Sequence, residues 1–160
     1  MKRGSTLFLK IAVILMGIPV LAFCILAVPM IGRNVAKGLE GWDYVMLCLL
    51  AVMYISAIPY FAVLYQAFKL LIFIDKNTAF SELSVLALKK IKNFAAIISG
   101  LYIISLPLFY IFAELDDAPG VVIVGMMFVF APMVISVFAA VLQRLLQEAI
   151  DIKSENDLTV

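Results

Sequence analysis

Four stretches of this chain contain no Asp, Glu, Lys or Arg: Ile11 to Gly32, Tyr44 to Phe68, Asn93 to Ala113 and Ala118 to Gln143, with 22, 25, 21 and 26 residues. A helix needs only about 20 residues to cross a hydrocarbon layer about 30 Å thick, so each stretch is long enough to span a bilayer. Backbone amides inside lipid have no water to bond, and none of the four stretches alternates like a barrel strand, so helices are the conformation that satisfies them. Composition agrees, because 66% of the residues are apolar and 14% charged, far from the balance of a water-soluble domain. The fold class expected is all-α: a polytopic membrane protein with four transmembrane helices in an antiparallel bundle. Its single domain over 1–160 would hold helices at about 8–32, 44–74, 82–114 and 119–152, the second to fourth extended into the cytoplasm.

The first span follows Lys2, Arg3 and Lys10 as a signal peptide would, yet its apolar run exceeds the usual length of about 7 to 15 residues, which makes it a retained anchor. Leu21-Ala22-Phe23-Cys24 loosely matches a lipoprotein cleavage box, but Phe stands where a small residue is needed. Cys24 and Cys48 both fall inside spans and the chain has no His. Two thiols alone give neither a metal constellation nor a disulfide framework and read as small packing residues.

Charge placement sets the orientation. Lys2, Arg3 and Lys10 precede span one, Lys69, Lys76, Lys89, Lys90 and Lys92 lie between spans two and three, and Arg144 and Lys153 follow span four. Only Arg33 and Lys37 of the 12 basic residues fall on the other side, so the positive-inside rule places both termini and the central loop in the cytoplasm. Glu40, Asp43, Glu114, Asp116 and Asp117 fall in the two outer loops, with Trp42, Tyr44, Tyr110 and Phe112 beside them at headgroup level. These loops, Arg33 to Asp43 and Glu114 to Pro119, have 11 and 6 residues, too few for an extracellular domain. The localisation expected is the bacterial cytoplasmic membrane, multi-pass, with the lipid bilayer as the main partner.

Every span contains proline: Pro19 and Pro29, Pro59, Pro107 and Pro132. Each removes an amide donor and crowds the preceding turn, although membrane helices tolerate this without any hinge role. Ser56, Ser99, Gly100, Ser105, Gly125 and Ser136 are small enough to let helices approach closely.

Span two continues as an apolar run to Ile74, stops at Asp75-Lys76-Asn77-Thr78, and a new helix starts at Phe80-Ser81-Glu82. Ser81 suits a cap, Glu82 the positive end of the dipole, and Phe80 a staple onto Val85. On that helix Glu82, Lys89, Lys90, Lys92 and Asn93 share one arc, and Leu83, Ala87, Leu88, Ile91, Phe94 and Ala95 the opposite one, with Val85 and Leu86 off pattern. The basic arc suits anionic headgroups or an acidic partner, and equally a plain topology signal with snorkelling lysines. The last span runs on at helical spacing through Leu142, Leu145, Leu146, Ala149, Ile150 and Ile152, and Arg144 can pair with Glu148. The candidate partner-docking set is therefore Phe80, Ser81, Lys89, Lys90, Leu146 and Ile150, with Asp157, Leu158 and Thr159 in a tail whose Leu-Thr-Val end is strand-prone.

No catalytic constellation, paired intramembrane carboxylates or phosphate-cradling glycine loop stands in the sequence, so neither an enzyme nor a cofactor is expected. Spans without ionisable groups disfavour ion coupling. No basic and aromatic interleaving supports direct nucleic-acid binding. A homo-oligomer is compatible with the composition.

Ile74-Asp75-Lys76-Asn77-Thr78-Ala79-Phe80-Ser81 leading to Leu88-Lys89-Lys90-Ile91, and the terminal Glu155-Asn156-Asp157-Leu158-Thr159-Val160, resemble the bacterial membrane family known as domain of unknown function 2975 (DUF2975). The likeness covers the whole chain in length and span count. It implies a membrane component placed beside a small cytoplasmic helix-turn-helix regulator of the Cro/C1 type, an association rather than a mechanism. The first functional class is thus a non-enzymatic regulatory or sensory protein that holds a cytoplasmic partner at the membrane. The second is an uncoupled permease, channel or immunity-like factor acting within the bilayer, and a membrane enzyme comes last.

Overall fold

A computed structural model of the protein describes residues 3–38, 41 and 43–159. Lys2, Glu40, Trp42 and Val160, which carry parts of the orientation and tail readings, lie outside the described residues. Four α-helices follow one another: α1 (Arg3–Lys37), α2 (Asp43–Asp75), α3 (Glu82–Leu115) and α4 (Gly120–Leu158). All four are long and apolar enough to cross a membrane, and the described residues hold no strand.

Local chemistry sets the helix ends. Asn77 takes the left-handed conformation that closes α2 (φ 57°), which brings the Thr78 amide to the Phe73 carbonyl at 2.8 Å and the Asn77 amide to the Ile74 carbonyl at 3.1 Å. That pair of bonds satisfies two orphan carbonyls of the last turn. Ser81, in extended backbone, opens α3 and accepts the Ser84 amide on its hydroxyl oxygen at 3.4 Å, the capping expected of it. Asp117 repeats the left-handed closure at the end of α3 (φ 49°), with the Ala118 amide on the Ala113 carbonyl at 2.9 Å. Pro119 then leads directly into α4.

Consecutive helices run antiparallel, so the start of α1, the end of α2, the start of α3 and the end of α4 gather at one end, here the basic end. Two side-chain links tie it together: an ion pair from Lys10 to Asp75, and a hydrogen bond from Gln147 Nε2 to Glu82 Oε1 at 3.2 Å. Each helix packs on its neighbours in sequence. Among the described residues no Cα of α1 approaches α3 or α4, nor one of α2 approaches α4, within 8 Å. The bundle is open between α1 and α4.

This arrangement makes α3 the centre. Its buried residues run from Ser84 to Ala113, whereas α1 buries only Thr6 and Ala27 among its described side chains. The core is Ile98, Tyr102 and Phe109 of α3 with Val129 of α4, packed by Leu49, Val52 and Tyr60 of α2. At the start of α3 the arcs differ from those expected. Leu83 is 57% exposed and the off-pattern Val85 is buried, because a helix held between two neighbours buries two flanks rather than one stripe. The tail also differs: α4 stays helical to Leu158, and Thr159 caps it by donating its hydroxyl to the Asn156 carbonyl at 3.0 Å. Helix propagation from the preceding turns outweighs the strand preference of the last residues.

Candidate functional site

Two apolar hollows carry the possible chemistry of recognition. The first is a groove of about 360 Å³ at the basic end, between Leu70 and Ile74 of α2, Ala79 and Phe80 of the connection, Leu88 of α3, and Leu142, Leu145, Leu146 and Ala149 of α4. It exists because α2 and α4 both continue past their uncharged stretches and the Asn77 turn delivers Phe80 between them. Phe80 is 60% and Leu145 55% exposed.

The second is a cleft of about 420 Å³ half-way along the bundle, lined by all four helices and almost wholly apolar. Ala57, Ala95 and Ile98 lie at its buried floor, while Met16 and Phe23 of α1 and Phe128 and Ile135 of α4 are partly exposed at its rim. It is the space left where α1 and α4 fail to meet. Small floor residues leave room, and Tyr102 stacks on Phe128 with ring centroids 5.1 Å apart, which fixes the α4 side of the rim.

A chain of hydroxyls ties the cleft walls together. Ser56 donates to the Met53 carbonyl at 2.9 Å, so the Tyr102 hydroxyl, 2.8 Å away, donates to the Ser56 oxygen. Tyr60 donates to the Met16 carbonyl at 2.7 Å and Ser99 to the Val129 carbonyl at 2.9 Å. Tyr54 donates to the Cys24 carbonyl, and Ser136 to the Lys92 carbonyl at 2.9 Å. Buried side-chain donors and acceptors are all satisfied among the described residues, as a lipid-embedded interior requires. No group of three or more His, Cys, Asp or Glu that could hold a metal forms among them.

Of the docking candidates, Phe80 and Leu146 meet in the basic-end groove, and Ser81 caps the helix beside it. Lys89 and Lys90 stand exposed on α3, and Ile150 lies one turn beyond Leu146 without lining the groove. Asp157, Leu158 and Thr159 are exposed on the last turn of α4, about 12 Å further along the helix than Ala149. Ala79, Leu88 and Leu142 belong to the groove, though helical periodicity alone gave no reason to set them apart from other core positions. The central cleft has no counterpart in the sequence reading, because its lining comes from four separate spans whose facing sides carry no polar label.

Comparison with known proteins adds the following. The family described as "Protein of unknown function (DUF2975)" matches residues 8–160. A Bacillus subtilis (strain 168) protein, "Uncharacterized membrane protein YoaS", is 56% identical over 160 residues, the full length of both chains. No solved structure matches.

Proposed function

This chain belongs to the DUF2975 family, and from that premise we propose that it is a non-enzymatic regulatory component of the bacterial cytoplasmic membrane that holds a soluble cytoplasmic partner. The observation that supports this reading is the groove where Phe80, Leu145 and Leu146 converge beyond the uncharged stretches. Full burial of a large apolar side chain is worth about 1.5 to 3 kcal/mol, and a docked partner would recover the share that the exposed faces of Phe80 and Leu145 forgo. A groove of this shape takes the apolar face of an amphipathic helix, the element a small helix-turn-helix regulator is made of. Lys76, Lys89 and Lys90 are exposed at the same end and favour acidic residues flanking that helix.

The transport alternative finds less support. The hydroxyls at the cleft are engaged within the protein, and the rest of its lining offers no polar path. A photo-crosslinking amino acid at Phe80 or Leu145, irradiated in native membranes, tests the docking reading. The expected adduct is a soluble helix-turn-helix protein. Adducts with lipid or with a second copy alone would remove the basis for a held partner.

A further inference from the structure

We infer that the central cleft is a binding site for the hydrocarbon chain of a membrane amphiphile whose polar part stays outside it. This site is independent of the groove at the basic end and stands whether or not a partner docks there.

Three observations carry it. The cleft lies within the uncharged stretches, lined from Met16 to Cys24 on α1 and from Phe128 to Ile135 on α4, and its rim opens between helices whose described Cα atoms all stay more than 8 Å apart. At that depth no water is available, and an unfilled hollow of about 420 Å³ leaves its lining without contact partners. Secondly, hydrogen-bond bookkeeping excludes a charged headgroup from the interior. The hydroxyl protons of Ser56, Tyr102 and Tyr60 are committed to Met53, Ser56 and Met16, so apart from the weak thiol of Cys24 an anion meets no donor. Thirdly, the exposed rim is built mostly of the bulky Met16, Phe23, Phe128 and Ile135, with Ala131 as its one small residue. Helices of a second copy approach closely over small residues, whereas a slender hydrocarbon chain passes between large ones. The rim therefore selects a chain over a helix.

The test uses the full chain reconstituted in phosphatidylethanolamine and phosphatidylglycerol vesicles that contain a phospholipid with a diazirine near the end of one acyl chain. After irradiation, labelled peptides are mapped by mass spectrometry. Labelling of Met16 to Cys24 and Phe128 to Ile135 should exceed that of the lipid-facing Ile58 and Ile97 at least about fourfold, the equivalent of burying about one methylene. Filling the mouth with Ala131→Trp or, separately, Ile135→Trp should bring the ratio close to one while Ile58 and Ile97 label as before. Equal labelling of cleft and outer face in the unmodified chain overturns the assignment, and this ratio decides even where a variant fails to fold. In a Cys24→Ala, Cys48→Ala background, a disulfide-linked dimer through Ala131→Cys, formed in place of lipid labelling, overturns it in favour of a second copy.

Discussion

Ser99 on α3 donates its hydroxyl to the carbonyl of Val129 on α4, three residues ahead of Pro132. Tyr60 on α2 does the same for Met16 on α1, three residues ahead of Pro19. A proline crowds the turn that precedes it and weakens the bonds there. Both outer walls of the central cleft are thus held by a neighbour's hydroxyl at the turn where their own backbone is weakest. The prolines and the hydroxyls form one device, and its product is a fixed rim.

Ser99→Ala removes one of these donors. The expected loss of stability in bilayer-like conditions is about 0.6 kcal/mol, up to about 1.7, the range of interhelical hydrogen bonds in membranes. Reversible unfolding in mixed micelles measures it, and a variant as stable as the parent would show that the Val129 carbonyl needs no outside donor.

Gly125 is a point of close approach between α4 and α3, since a Cβ there would stand 2.9 Å from Cγ of the Phe109 ring. Phe109 is buried and its ring base has no freedom to swing aside. Gly125→Ala should therefore cost about 1 to 3 kcal/mol as overpacking, a cost that should vanish when Gly125→Ala is made in a Phe109→Ala background, which lacks the ring atoms it meets. Gly100, which has open space around it, should gain about 1 kcal/mol as Ala from helix propensity. Stability of the four variants, Phe109→Ala alone included, measured in parallel, checks both signs. Gly100 is thus not the close-approach residue its size led one to expect.

Lys10 and Asp75 pair across 65 positions, with side chains 21% and 26% exposed, and the Lys10 ammonium also lies 5.9 Å from the centre of the Phe68 ring. Reversing one charge, by Lys10→Asp or Asp75→Lys, should lower stability, and the double reversal should restore most of it. A coupling energy of about 1 kcal/mol is expected at low salt. Coupling indistinguishable from zero would mean that α1 is fastened to α2 by packing and by the Tyr54 and Tyr60 hydroxyls without help from the ion pair.

The orientation has a direct readout. In a Cys24→Ala, Cys48→Ala background, Asn34→Cys and Ala118→Cys should react with an impermeant thiol reagent added to intact cells. Thr78→Cys and Ser154→Cys should react only after permeabilisation, as the distribution of basic residues requires. Labelling of Thr78→Cys in sealed cells would invert the whole arrangement, and with it the side on which the basic-end groove opens.

The spans were legible because lipid leaves a chain so few options: long uncharged stretches must be helices, and Asn77 and Ser81 mark a stop and a start by local hydrogen bonding alone. What could not be read was which face of each helix packs. In water a polar stripe marks the outside of a helix, but in hydrocarbon Ile104, 78% exposed, and Ile98, buried, are the same residue type with opposite fates. The Ser56 and Tyr102 pair spans 46 positions, and nothing in either local sequence points to the other. The exchange of roles between Leu83 and Val85 has the same root, because flanking by both α2 and α4 is a property of the assembly.

A strip of helices whose described backbones come within 8 Å only of their neighbours in sequence can be built in the order of its synthesis. The α1–α2 hairpin needs nothing that comes later, and α3 finds its partner already waiting in the bilayer when it leaves the translocation machinery. Ring closure between first and last helix, the slow step that long-range contacts impose, is never called for, and the gap it would have sealed remains as a lateral doorway to the lipid.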